Sequence, residues 1–133
     1  MQDIAFRCRH FRNDRPCVFH KEQWVHCSSC PHKDLIEHRI LLIKLDSPGD
    51  VLRTTCLLPS LKQAYSSSQI TWMTLEPSRA LLENNPDIDR IVDRWEEMFA
   101  ILQTEHFDIA INPDANPQAA RLLEMASASE KLG

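Results

Sequence analysis

Glycine is almost missing: the 133 residues hold two, Gly49 and the terminal Gly133. With so few, the chain has neither the three-glycine dinucleotide fingerprint nor a phosphate loop ending in Lys-Ser/Thr, which argues against an ordinary nucleotide-binding protein. No run of roughly 18 apolar residues occurs, so no membrane-spanning helix is expected. The opening Met1-Gln-Asp-Ile-Ala-Phe-Arg-Cys8 lacks the apolar core of a secretory signal, and a cytoplasmic protein is the expectation. Basic charge is also in deficit. Lys and Arg number 15 against 19 Asp and Glu, for a net charge of −4, which speaks against broad nucleic-acid binding. Internal repeats and low-complexity linkers are absent.

What is present fits about one domain with a core, at 43% hydrophobic content. The organising stretch is Ile40-Leu-Leu-Ile-Lys-Leu-Asp-Ser-Pro-Gly-Asp-Val-Leu-Arg-Thr-Thr55, in which five of the first six residues are apolar. A strand apolar on both faces belongs in a parallel sheet covered by helices on each side. The run breaks at Asp46-Ser47-Pro48-Gly49 and a helical pattern follows at once. Strand, tight turn and helix open a Rossmann-like fold, whose ligands gather at the mouth of that turn. In a chain this poor in glycine, Gly49 is expected to serve a special backbone conformation or the close approach of a ligand. Asp50 has two readings, a carboxylate poised over a cleft or an ordinary helix N-cap.

Downstream the pattern alternates. A strand is expected over 38–45, a helix over 50–65, a strand over 69–75, and a short helix from Glu76 to the stop at Asn84-Asn85-Pro86. A strand over 88–92, a helix over 95–103, a strand over 107–111 and a closing helix over 117–126 complete it. Pro59 inside the first helix predicts a kink or two pieces. Cys56 reads as a small buried residue, and Trp95, Met98, Phe99 and Leu102 as core. The fold class expected is α/β, a parallel sheet with flanking helices over residues 38–133.

Residues 1–37 are different. They hold Cys8, Cys17, Cys27 and Cys30, four of the five cysteines, with four of the six histidines and aromatics that include Phe6 and Phe11. Cys27-x-x-Cys30 has a chelating spacing, because two intervening residues let both sulfurs reach one ion on a tight turn; Cys17-x-x-His20 repeats it. Five cysteines in such a protein point to metal or buried thiols before disulfides. The expected set is Cys8, Cys17, Cys27 and Cys30 around one structural zinc, with His20 as the substitute ligand. An iron–sulfur cluster and an incidentally Cys/His-rich leader are the alternatives.

The motif Ile43-Lys-Leu-Asp-Ser-Pro-Gly-Asp-Val-Leu-Arg-Thr-Thr55 resembles the opening motif of glycosyltransferase family 9, the ADP-heptose:lipopolysaccharide heptosyltransferases. Ile70-Thr-Trp-Met-Thr74, Leu81-Leu-Glu-Asn-Asn-Pro-Asp-Ile-Asp-Arg-Ile-Val92 and Phe107-Asp-Ile-Ala-Ile-Asn-Pro-Asp114 follow in that family's order. The resemblance covers roughly residues 38–133; a Cys-rich leader also accompanies some members. It implies the N-terminal, acceptor-side half of a GT-B fold, with Asp50 as general base of an inverting transfer and no catalytic metal. The donor would be an ADP-heptose-like nucleotide-sugar and the acceptor a glycan or lipid-linked glycan, met at the inner face of the membrane by peripheral contact. The C-terminal donor domain is expected to be missing from these residues, so that this piece alone transfers no sugar.

The groups placed to hold an anionic acceptor are Lys44, Ser47, Gly49, Arg53, Thr54, Thr55 and Asp114. Three of them have a plainer reading: Lys44 and Arg53 as solvated charge, Asp114 as a turn former. A non-catalytic zinc-containing α/β binding or scaffold domain is the competing reading of the whole.

Overall fold

The computed structural model describes residues 8–10 and 16–133. Residues 1–7 and 11–15, including Phe6, Phe11 and most of the stretch read for a secretory signal, lie outside the described residues. The chain divides into two compact units, Met1–Glu37 and His38–Gly133. In the described part of the first unit, a short helix α1 (Val18–Gln23) and a 3-10 turn (Cys27–Ser29) bury no residue. Cys8 pairs with Leu35 in an isolated antiparallel bridge, beside which Arg9 N–H donates to the Asp34 carbonyl at 2.7 Å.

The second unit alternates strand and helix throughout. Its elements are β1 (His38–Ile43), α2 (Pro48–Thr54), α3 (Leu57–Ala64), β2 (Ser68–Met73), α4 (Glu76–Leu82), β3 (Arg90–Val92), α5 (Trp95–Thr104), β4 (His106–Ile111), α6 (Pro117–Met125) and β5 (Ser127–Leu132). Five parallel strands stand in the order β3-β2-β1-β4-β5, so the most apolar strand is central. Side chains alternate across a strand, and β1 feeds two cores. Ile40 and Leu42 pack with Val51, Leu58, Trp72 and Leu82 on the face covered by α2, α3 and α4. Leu41 and Ile43 pack with Met73, Met98, Phe107 and Leu122 on the face of α5 and α6. All four of these β1 residues are fully buried, each worth about 1.5–3 kcal/mol of burial.

The expected single helix over 50–65 is two helices. Pro59 is the third residue of α3, where its missing N–H has no intrahelical partner to lose. Its ring excludes a helical carbonyl four residues earlier, at Thr55, which is where α2 ends. That break also overturns the burial expected for Cys56, which is exposed. On α5 Met98, Ile101 and Leu102 are buried and Trp95 packs half-buried against the same core; of the residues expected there, Phe99 alone departs, at 40% exposed. The strand expected over 88–92 contracts to Arg90–Val92. β5 was not foreseen. It is an exposed edge strand of polar sequence, held by parallel pairing to β4 rather than by an apolar face.

Candidate functional site

β1 and β4 are neighbours in the sheet, yet the helices that follow them cover opposite faces. Their C-terminal ends therefore part into a crevice, the position where open parallel sheets take ligands. Two loops rim it, 44–47 after β1 and 112–116 after β4. Asp114 joins them. Its Oδ2 accepts from the N–H of Leu45 at 2.8 Å and of Asp46 at 3.4 Å. Its Oδ1 accepts from Asn116 N–H at 3.0 Å and stands 3.4 Å from Lys44 Nζ. Burial alone would raise the Asp114 carboxyl. The N–H groups of Asn116 and Leu45, the Lys44 charge and the Asp46 N–H outweigh it and hold the group below its ordinary value. Asn116 then caps α6, its side-chain oxygen accepting from Gln118 N–H at 2.8 Å.

Ser47 is the N-cap residue of α2, and Asp50 is the third residue of the helix. The N-cap role is thus not the one Asp50 fills. Ser47 Oγ donates to Asp50 Oδ2 at 3.3 Å, and Arg53 Nη1 is 3.5 Å from Oδ1. The Asp50 side chain is still 53% exposed, and that of Arg53 is 85% exposed. Their pairing is accordingly weak and open to exchange for a ligand. Thr54 Oγ1 donates to the Asp50 carbonyl at 2.7 Å and Thr55 Oγ1 to the Leu52 carbonyl at 2.6 Å, which leaves both oxygens able to accept.

An open cavity of about 420 Å³ lies against this edge. Lys44, Asp50, Arg53 and Thr54 line it, joined by Cys56, Leu57 and Pro113. Ser47, Gly49, Thr55 and Asp114 belong to the same loops and helix but are not on its wall. The backbone expected of Gly49 is not found: its φ is not positive, and a Cβ there would meet nothing within 4 Å. Open space above Gly49 is what the structure offers at this position. Cys56, Leu57 and Pro113 were missed as wall residues. Only the break between α2 and α3 turns the first two toward the cavity, and no local pattern signals that. Chemically, the wall offers one accessible carboxylate that can take a proton and two cations that can hold an anion.

The first unit carries the other predicted residues. Cys8, Cys17, Cys27 and Cys30 all line one narrow cavity of about 40 Å³, with His10 and His32. His20 does not line it; its Nδ1 lies 2.8 Å from the Val25 carbonyl. Among the described residues, no three His, Cys, Asp or Glu side chains are placed, as they stand, so that they could hold a metal ion.

No family model and no curated protein matches the chain. Solved structures do. A glycosyl transferase of family 9 from Veillonella parvula superposes with a TM-score of 0.65 at 28% identity, over 75% of this chain and 32% of that one. E. coli heptosyltransferase WaaC with ADP-2-deoxy-2-fluoro heptose gives 0.60 at 20% identity, over 71% and 36%. E. coli ADP-heptose lps heptosyltransferase II gives 0.60 at 18%, over 70% and 29%. The chain is therefore similar in fold to family 9 glycosyltransferases, and it spans about a third of the length of the structures it matches.

Proposed function

We propose that this chain is the acceptor-side part of an inverting glycosyltransferase. The reaction would move a sugar from an ADP-heptose-like nucleotide-sugar to a glycan or lipid-linked acceptor, as in lipopolysaccharide biosynthesis. The observation that carries the reading is Asp50. It is a half-exposed carboxylate on the wall of an open cavity at the crevice of a fold similar to heptosyltransferases. WaaC, a neighbour in fold, is described with an ADP-heptose analogue.

In this mechanism Asp50 accepts the proton of an acceptor hydroxyl as its oxygen attacks the anomeric carbon and the bond to the nucleotide diphosphate breaks. Ser47 fixes the rotamer of the base through its hydrogen bond to Oδ2. Arg53 and Lys44 supply positive charge for an anionic acceptor, with Thr54, Thr55 and the open backbone at Gly49 for its hydroxyls. Asp114 supports Lys44 and the loop from behind. The donor is held by a second half beyond these residues, consistent with coverage of about a third of the matched structures. The setting we assign is the cytoplasmic face of the membrane, reached by peripheral contact; among the described residues no helix is long and apolar enough to cross it.

The test is ADP release by the longest protein containing these residues, given ADP-heptose and a lipid-linked core acceptor. Asp50→Asn is expected to lower kcat by about 10²–10⁴-fold with KM little changed, and Arg53→Ala to raise the acceptor KM. Undiminished turnover by Asp50→Asn would end its role as base. Acceptor binding without turnover by the unaltered protein would favour the non-catalytic scaffold reading.

A further inference from the structure

We infer that Cys8, Cys17, Cys27 and Cys30 bind one structural zinc ion as four thiolates, and that this ion is the core of the first unit. The inference is independent of the transfer reading. Three separate pieces of backbone bring the four cysteines to one cavity. Cys8 comes from the bridge to Leu35, Cys17 from the residue before α1, and Cys27 and Cys30 from the two ends of the 3-10 turn. That turn is closed by the Cys30 N–H on the Cys27 carbonyl at 3.4 Å, the compact arrangement that lets a C-x-x-C pair chelate. Asp34 N–H donates to Cys8 Sγ at 3.4 Å, the kind of outer hydrogen bond that orients a metal-bound sulfur.

Size and stability argue the same way. A cavity of about 40 Å³ exceeds the roughly 10–15 Å³ one small sphere needs but is far too small for an organic ligand. A unit below about 40 residues normally needs disulfides, metal or association to stay folded. This one ends at Glu37, its cysteines are all unpaired, and α1 and the turn bury nothing. Sulfur ligands select zinc or an iron–sulfur centre over magnesium or calcium. His10 and His32 share the wall with the cysteines; His32 Nε2 lies 3.0 Å from Gln23 Oε1 and its ring stacks on Phe19 at 3.9 Å. Binding releases the four thiol protons, and the resulting centre carries two negative charges beside Lys33, which also lines the cavity. Holding the ion at the usual sulfur distance of about 2.3 Å requires the four side chains, which as they stand form no group able to hold a metal, to draw together.

The experiment uses the whole chain, purified without added metal or a histidine tag. Its metal and acid-labile sulfide are measured, and its thiols are titrated before and after chelation. We expect one zinc per chain, Cys56 reacting at once because it is exposed, and four further thiols appearing only after chelation. Replacing zinc with cobalt should give the visible bands of tetrahedral thiolate ligation. Cys30→Ser should lose the metal or hold it far more weakly, whereas His20→Ala should keep the full complement. If Cys30→Ser is insoluble, the cobalt spectrum of the unaltered protein still decides the ligand set. Five thiols reactive from the start with no metal bound would overturn the proposal. So would iron with sulfide, or a metal lost from His20→Ala.

Discussion

Asp114 shows how a residue can matter to a site it does not line. Its side chain is 5% exposed and that of Lys44 10%, so each is the other's compensation for leaving water. Removing one partner of such a pair leaves a buried charge unpaired, at a cost of roughly 3–5 kcal/mol. Asp114→Ala should lose about that much in urea unfolding, and Asp114→Asn about 1–3 kcal/mol, because an amide oxygen still accepts from one N–H. The pH dependence follows from the lowered carboxyl. Ionised Asp114 stabilises the fold fully above its ordinary value of 3.8, and that stability is lost as pH falls through the lower folded value. Unfolding curves of the unaltered protein and Asp114→Asn should therefore converge below pH 3.8 and stay parallel above it. A constant gap across that range would show that the carboxylate charge contributes nothing.

At the scale of elements, the pair α2 and α3 makes the wall of the cavity by interrupting itself. Thr55, Cys56 and Leu58 N–H groups reach back three residues, to the carbonyls of Leu52, Arg53 and Thr55. That local tightening, rather than proline strain alone, holds the break. Pro59→Ala should then change stability by less than about 1 kcal/mol, since the proline N–H would have no helical partner at that position. Leu58→Ala, one residue earlier and fully buried, should cost about 2–5 kcal/mol. A loss from Pro59→Ala as large as that from Leu58→Ala would mean the ring is a core element and not a helix boundary.

Across the whole second unit, protection should follow the strand order. β1 is paired on both sides and buried on both faces, whereas β5 is paired only to β4 and mostly exposed. Native-state hydrogen exchange should find the slowest amides at 40–43 and the fastest strand amides in β5, opening well below the global unfolding free energy. Equal protection in β5 and β1 would require something to cover that edge. The crevice loops depend on the central pair β1 and β4, so the candidate site sits on the part of the sheet expected to open last.

The sequence by itself determined the strand–turn–helix at 40–55, the parallel sheet and the position of Asp50 at its mouth. Runs such as Ile40 to Ile43 have one low-energy use, burial on both faces, and the break at Asp46 to Gly49 has one place to fall. The same is true of the split helix, because proline acts locally. Tertiary structure decided the rest. β5 exists because β4 offers an unpaired edge; its polar residues Ser127 to Lys131 carry no period to read. Cys56 is exposed where it falls at the break between two short helices, and Asp114 is a clamp because loops from distant parts of the sequence meet at neighbouring strands. The meeting of Cys8, Cys17, Cys27 and Cys30 at one cavity is of both kinds: spacing suggested the C-x-x-C pair, and only the folded chain brings Cys8 and Cys17 to it.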